Sequence, residues 1–323
     1  MANYLVTGGA GFIGSHIAET LLRDGQAVRI LDNFSTGRRS NIEILLRDYP
    51  SSSLSVIEGD IRDRKTCDQA VTGQDFVFHQ AAQISVPQSI IDPETTQEIN
   101  IKGTLNILQA SKEAGVQRMV LASSTAIYGD SLLEKEAQKP KRETMLPNPL
   151  SPYALSKLAG EVYCRLFSMH YNFPAVALRY FNVFGPRQDP HSEYAAVIPK
   201  FIERLLNGSS PVIYGDGLQS RDFVFVQDVV QANLKACHQR GIAGEVFNVA
   251  SGRSITVLQL LETLKKILKS DQPPVFAPAR SGDIRYSRAD IRKAKNLLAY
   301  EPTTGLRKGL AATVDYTKKI ANL

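Results

Sequence analysis

Cysteine is scarce in this 323-residue chain: Cys67, Cys164 and Cys237 lie far apart and form no Cys-x-x-Cys pair. That excludes a disulfide framework, suggests no metal site, and makes a reducing cytoplasm the expected setting. No apolar run approaches the roughly 20 residues that a membrane-spanning helix needs, so a soluble chain is expected. A cleavable secretory segment is not expected either, since it requires a basic start, an apolar run and a small-residue cleavage site. Here the first residues run directly into Tyr4-Leu5-Val6-Thr7-Gly8, and cleavage would remove the glycine motif described below. Charge is only mildly unbalanced, with 38 Lys and Arg against 32 Asp and Glu, a formal +6. The basic residues are scattered, and the one short cluster, Lys139 to Arg142, is broken by Pro140. No basic stripe with interleaved aromatics is visible, so nucleic acid is not an expected partner. A local pocket for an anion such as a diphosphate suits the surplus, and an ordinary solvated surface explains it equally well. There is no internal repeat and no low-complexity tract.

What remains is an ordinary globular balance, 43% hydrophobic and 22% charged, in a length that fits one large or two modest domains. The first part alternates short apolar runs with longer amphipathic segments. Tyr4–Val6, Ala27–Leu31, Leu54–Ile57, Phe76–Phe78 and Arg118–Ala122 read as buried parallel strands. Helical patterns cover Ile13–Leu22, Arg39–Arg47, Arg64–Val71 and Pro93–Ala114, and a helix at Pro152–Tyr171 and a strand at Ala175–Arg179 extend the series. Such alternation predicts an α/β fold, a doubly wound parallel sheet of the Rossmann type with helices on both faces. After Asn182 turn formers increase, as in Pro186 to Pro190 and Asn207 to Gly217, a texture typical of loops that reach a ligand. Asp222–Val226 and Val246–Ala250 read as strands again, and Leu258–Lys269 as an amphipathic helix. Residues 1–182 are therefore assigned to the Rossmann-type domain, to which 218–250 returns. Residues 183–323 are assigned mainly to a smaller, discontinuous substrate domain.

Glycines at 8, 11 and 14 stand between the first strand and the first helix, in Thr7-Gly8-Gly9-Ala10-Gly11-Phe12-Ile13-Gly14. They allow a tight turn, close approach of a pyrophosphate, and close packing of helix on strand. The free N–H groups and positive end of the helix then favour a diphosphate. A structural glycine turn is the alternative, and context argues against it. Asp32 ends the second strand roughly 20 residues on, where a carboxylate accepts from adenosine ribose hydroxyls and repels a 2′-phosphate, favouring NAD over NADP. Arg38 and Arg39 are read as loop or exposed helix residues. Asp60 follows the third strand and suits either the adenine amino group or the N-cap of the next helix. Ala81 and Ala82 are small residues after the fourth strand, suited to a backbone lying against the cofactor.

Tyr153 and Lys157 stand four apart at the start of a predicted helix, hence on one face. A phenol titrates near pH 10 in isolation and is a poor base at neutrality. A nearby ammonium, together with a positive nicotinamide ring, favours the phenolate. Ser123-Ser124-Thr125 closes the fifth strand, at the carboxyl edge where doubly wound sheets bind ligands, and a hydroxyl there can share a substrate proton with Tyr153. The alternatives are a surface Tyr/Lys pair and a capping or loop serine.

With these residues in place, the chain resembles the extended short-chain dehydrogenase/reductase family, and within it the UDP-hexose 4-epimerases. The likeness runs over essentially the whole length. It rests on Thr7–Gly14, His79-Gln80-Ala81-Ala82, Asn100, Ser123–Gly129, Tyr153-x-x-x-Lys157, Arg179-Tyr180-Phe181-Asn182, Ser220-Arg221-Asp222-Phe223 and Arg280-Ser281-Gly282-Asp283. The resemblance implies that Ser124 and Tyr153 contact the hexose O4, with Tyr153 as acid and base and Lys157 on the nicotinamide ribose. It implies further cofactor contacts from Phe12, Ile13, Asn33, Gly37, Ile61, Gln80, Asn100 and Tyr180. Asn182, Arg221 and Arg280 would bind the substrate diphosphate, supported by Asp283, with Ser85, Val197 and Tyr214 also on the substrate. The stretch from Ala196 to Pro199 resembles one that backs the uracil ring, and plain core packing is its other reading. In related dehydratases and decarboxylases the loop before Tyr128 carries acidic residues. Here Thr125 and Ala126 occupy those places, which disfavours elimination, since alanine is no base for the C5 proton.

The implied reaction is a hidden redox cycle: oxidation at C4, rotation of the tethered 4-keto sugar, and reduction from the other face, with NAD tightly retained. Ser287 stands where the family commonly places a residue beside the sugar's C2 and C3, and a serine leaves room for an N-acetyl group. The local texture looks most like bacterial UDP-N-acetylglucosamine 4-epimerases, so both UDP-GlcNAc/GalNAc and UDP-Glc/Gal are expected as substrates, the acetylated pair preferred. The rivals are another nucleotide-sugar enzyme on the same scaffold, such as a UDP-glucuronate 4-epimerase or a 4-keto-sugar reductase, and a non-catalytic NAD sensor. The family's habit of dimerising through two long helices points to Pro93–Ala114 and Pro152–Tyr171 and a homodimer.

Overall fold

The computed structural model describes residues 1–130, 134–189, 197–279 and 284–321. Its strands are, in chain order, β1 (Asn3–Thr7), β2 (Ala27–Asp32), β3 (Leu54–Glu58), β4 (Phe76–His79), β5 (Arg118–Ser124), β6 (Ala175–Tyr180), β7 (Asn182–Phe184), β8 (Val212–Tyr214), β9 (Ser220–Arg221), β10 (Phe223–Phe225), β11 (Val246–Val249), β12 (Ile255–Thr256) and β13 (Val275–Ala277). Seven of them form one parallel sheet in the order β11-β6-β5-β4-β1-β2-β3. Alternate side chains feed two cores, one on each face. Tyr4 and Val6 join Ile17, Ile30 and Val120 on one side, while Leu5 joins Leu31, Val77 and Leu121 on the other. Strands buried on both faces explain why the sequence shows apolar runs here and not alternation. The strand order reverses between β1 and β4, and the crevice at that switch point is where such sheets take ligands.

Of residues 218–250, β11 adds to the sheet beside β6, and the helix Val226–His238 packs on β5 and β6. The strand read at Asp222–Val226 does not join the sheet: β10 pairs with β7 in a separate two-stranded sheet. The outer edge of β6 is already taken by β11, leaving β10 no place there. A third apolar cluster, with Phe184, Ile198, Phe201, Phe225 and Leu260, holds this outer region together. The expected single helix over 93–114 is divided by a π turn, Glu98–Lys102, between Pro93–Gln97 and Gly103–Glu113. Side-chain periodicity cannot reveal such a turn, and π turns recur at functional sites. Helix Pro152–Tyr171 starts where read: Ser151 caps the Ala154 N–H at 3.1 Å and Pro152 sits in its first turn. It ends at Asn172, left-handed at φ 50°.

Candidate active site

The glycine turn is a cradle that side chains would fill. Gly8 lies at φ +67°, and a Cβ on it would stand 2.6 Å from the Ala81 nitrogen; one on Gly14 would stand 2.2 Å from the Gly8 carbonyl oxygen. Gly11 precedes the helix Phe12–Arg23 without a side-chain cap, so the first-turn N–H groups point into the cradle. Phe12 and Ile13 open that helix and pack against the outer cluster. Asp32 is buried, accepting from the Ala10 N–H at 2.9 Å and the Phe34 N–H at 2.8 Å. Burial pushes its carboxyl above the usual range, and each oxygen keeps a second lone pair for a ribose hydroxyl. Gly37 closes on it, since a Cβ there would meet Asp32 Oδ1 at 2.8 Å. Arg39 pairs with Glu58 at 2.7 Å and covers the Phe34 ring, and Arg38 pairs with Asp189. The arginines are thus engaged as loop and helix-surface residues. These features fit a dinucleotide with a free ribose 2′-hydroxyl.

Asp60 holds Arg62 at 2.8 Å and accepts from Asn33 Nδ2 at 2.9 Å. The guanidinium holds its carboxyl down at about 2. The N-cap alternative for Asp60 falls, because Asp63 caps the helix Arg64–Val71. Ile61 is buried against Gly103. Gln80 and Tyr180 meet at Asn233, whose Oδ1 accepts from the Tyr180 hydroxyl at 2.9 Å and from Gln80 Nε2 at 3.3 Å. Ala81 and Ala82 are half-buried beside the cradle.

Ser124, Tyr153 and Lys157 come together at the carboxyl end of β5. Lys157 is 7% exposed, donates to the Ala122 carbonyl at 2.9 Å, and sits 5.9 Å from the Tyr153 ring centre; a surface pair is excluded. Burial lowers Lys157 to about 8. Burial also pushes the Tyr153 phenol up, opposed by the adjoining Ser124 hydroxyl. Ser124 additionally accepts from the Ala126 N–H at 3.1 Å, shaping the 3-10 turn Thr125–Tyr128.

Beneath these groups runs a buried polar relay that pattern reading missed. The Ala81 N–H donates to Thr7 Oγ1 at 3.2 Å, and Thr7 meets His79 Nδ1 at 2.7 Å. His79 Nε2 meets Thr104 Oγ1 at 3.0 Å, and Thr104 donates to the Asn100 carbonyl at 2.6 Å. The Thr104 proton is spent on Asn100, so His79 donates from Nε2 and accepts at Nδ1. Its burial lowers it to about 3, and it stays neutral. From the π turn, Asn100 clasps the Gln83 backbone at 2.8 and 2.9 Å and donates to Ser156 Oγ at 2.9 Å. Ser156 in turn donates to the Tyr153 carbonyl at 2.8 Å, and Ser89 accepts from the Tyr153 N–H at 3.1 Å. The glycine cradle and the helix carrying Tyr153 are therefore joined by a chain of directional bonds. Its sequence signals were Thr7 at the start of the glycine motif, His79 ahead of the alanine pair, and Asn100, with nothing to show that they bond to one another.

On the outer side, the backbone on either side of Arg221 is bonded to Asn182 and to Ser287. The Asn182 N–H donates to the Asp222 carbonyl at 3.1 Å, and the buried Ser287 donates its N–H to the Ser220 carbonyl at 3.1 Å. Asp222 accepts from the Ser251 N–H and hydroxyl at 2.9 and 2.6 Å and from the Ala289 N–H at 3.1 Å. Burial pushes it up to about 6. Val197 opens the helix Val197–Leu206, and Tyr214 ends β8 half-exposed. Ser85 caps the short helix Val86–Ile91 through the Gln88 N–H at 3.1 Å, a structural duty not foreseen for it. Arg280 and Asp283 lie outside the described residues.

Residues 4–250 match the NAD dependent epimerase/dehydratase family. The whole fold superimposes on a UDP-glucose 4-epimerase of Thermotoga maritima solved with UDP-glucose, at 40% identity and TM-score 0.91, covering 99% of each chain. It is equally similar to a UDP-N-acetylglucosamine 4-epimerase of Methanobrevibacter ruminantium in complex with UDP-N-acetylmuramic acid, at 39% identity and TM-score 0.91, covering 100% of this chain and 99% of that one. A UDP-glucose 4-epimerase of Thermus thermophilus in complex with NAD matches at 37% identity and TM-score 0.86, over 98% and 99% of the two chains.

Proposed function

The chain belongs to the NAD dependent epimerase/dehydratase family, and we propose that it interconverts UDP-hexoses at C4 through a 4-keto intermediate. The observation that carries this reading is the convergence of Ser124, Tyr153 and Lys157 at the carboxyl end of β5. The cofactor is NAD, which supplies a hydride acceptor and then a donor at C4. Tyr153 takes the C4 hydroxyl proton and later returns it, while Ser124 holds O4 by a hydrogen bond. Lys157 secures the nicotinamide ribose and, by its charge, favours the phenolate that burial alone resists. Asn182, Arg221 and Arg280 grip the diphosphate while the sugar turns its other face. Inversion requires that tether, since a released 4-keto sugar would be lost. The remaining cofactor contacts, at Asn33, Asp60, Ile61, Gln80, Asn100 and Tyr180, and the substrate contacts at Ser85, Val197, Tyr214, Asp283 and Ser287, complete the assignment. In it residues 1–182 with 218–250 serve the cofactor and 183–323 mainly the sugar. A serine at 287, in place of a bulkier side chain, supports the acetylated pair.

A homodimer is part of the proposal. Leu155, Val162 and Met169 are 55, 39 and 64% exposed and recur every seven residues along Pro152–Tyr171, with Ile90 and Ile91 exposed at 62 and 74%. Such a stripe suits a helix-to-helix contact with a second copy, and a monomer in light scattering at micromolar concentration would refute it. A cytoplasmic location is proposed from three buried, unpaired thiols; among the described residues no helix is long and apolar enough to cross a membrane. The deciding experiment mixes the purified protein with UDP-GlcNAc and UDP-Glc and follows anomeric proton signals. Galacto epimers without added nucleotide are expected, and silence even with added NAD would overturn the assignment.

A further inference from the structure

The loop after β7, residues 185–189, runs from the outer, substrate side of the molecule across the first helix to the adenosine side. Its path is pinned at three points. The His16 Nε2–H donates to the Pro186 carbonyl at 2.9 Å, Arg187 pairs with Glu19 at 2.7 Å, and Asp189 pairs with Arg38. Arg187 is buried and held at φ +66°, a conformation a non-glycine residue keeps only when its surroundings impose it. Glu19 and the Tyr316 hydroxyl, both on its guanidinium, do so. Arg38 belongs to the wall of the cofactor site, since its N–H donates to the Ala10 carbonyl at 3.0 Å and its neighbour Gly37 closes on Asp32.

We propose that residues 185–189 form a strap over the adenosine side of the cleft, and that the Glu19–Arg187 and Arg38–Asp189 pairs govern how slowly NAD leaves. The inference rests on the NAD-dependent reading above and extends it to retention. Glu19–Arg187 anchors the middle of the strap and Arg38–Asp189 fastens its end to the ribose loop. Asp189 stands seven residues beyond Asn182, so the same short stretch links the substrate side to the cofactor exit. An epimerase that strips a hydride and must return it needs such a fastening, because loss of the reduced cofactor between the two transfers ends the cycle. The closing pair is partly exposed, at 39 and 37%; it therefore acts as a salt-sensitive latch, not as a source of fold stability.

The test loads the protein with radiolabelled NAD, adds excess unlabelled NAD, and follows exchange at low and high salt. Asp189→Asn is expected to exchange about threefold faster and Glu19→Gln/Asp189→Asn about tenfold faster, while Asp189→Glu stays near wild type. High salt should speed exchange in the wild type more than in the double variant. Wild-type exchange rates in both Asn and Gln variants would overturn the strap, and Asp189→Asn, a surface change, serves if Glu19→Gln does not fold. A variant that retains NAD normally but now binds NADP would also overturn it, showing that Asp189 only masks Arg38. A wild type that takes up no label at all would instead remove the NAD reading itself, and the strap with it.

Discussion

Glu161→Gln is expected to destabilise the protein by about 3–5 kcal/mol, far more than an average substitution. Glu161 and Arg179 are each 4% exposed, on the helix Pro152–Tyr171 and on β6. Their contact is bidentate, with both bonds at 2.8 Å, and the Ser123 hydroxyl donates to Glu161 Oε1 at 2.6 Å. Glutamine preserves the shape but leaves the buried guanidinium without its directly paired carboxylate, over the Tyr128 ring at 4.7 Å. That unpaired charge dominates the loss, because the net value of an intact buried pair is small. Glu161→Met/Arg179→Met should therefore recover most of it. The assay is urea unfolding of cofactor-stripped protein, so that ligand binding does not mask the change. A single-variant loss under about 1 kcal/mol, or a double variant no better than the single, would refute the reasoning. Ser123 adjoins Ser124, so kcat of the single variant should fall at temperatures where it remains folded.

Lys157→Met should abolish epimerisation yet leave the cofactor-free protein no less stable, since burial disfavours the charged lysine; wild type alone should gain stability as pH rises from about 8 toward the ordinary lysine value. A fall of several degrees in Tm for the variant would contradict this. Burial lowers His16 to about 4 and His79 to about 3, so the unfolded chain binds protons there first and stability is lost as pH falls from about 6.5 through those values. Asp222, pushed up to about 6, acts oppositely, its contribution being present at low pH and lost as pH rises toward 6. His16→Gln keeps an N–H for Pro186 and should flatten the acid limb of the urea midpoint; an unchanged limb would exclude His16 as its source. Ser287→Tyr should depress turnover of the acetylated UDP-sugars selectively, and equal losses on both sugar pairs would remove the argument.

The sheet was legible because strands buried on both faces write themselves as apolar runs, and the glycine turn because only glycine fits where a Cβ would strike Ala81 or Gly8. Tyr153 and Lys157 were legible because four-residue spacing places them on one helical face. The relay through Thr7, His79, Thr104, Asn100 and Ser156 was not, since its members come from five separate elements and their mutual bonds leave no mark in the sequence. The place of β10 was equally hidden: an apolar triplet states that it is buried but not which edge is free. The proposed strap was invisible for the same reason, because Arg187 and Asp189 gain meaning only from Glu19 and Arg38, which lie on two separate and distant segments.

One cause, burial, moves Tyr153 and Lys157 in directions that both oppose the roles proposed for them. It raises the Tyr153 phenol and lowers the Lys157 ammonium, and the Ser124 hydroxyl opposes the first shift. In a low-dielectric pocket a phenolate needs a cation close at hand, and Lys157 at about 8 is only partly secure in that role above neutrality. The bound cofactor must then complete the electrostatics as well as the redox chemistry, and the protein without it rests with a neutral phenol. The same low dielectric that hinders the free protein strengthens each charge interaction once the cleft is filled and water is excluded. On the proposed assignment, retaining NAD and activating Tyr153 are one requirement, so the proposed fastening at the adenosine end would bear on proton transfer at the other.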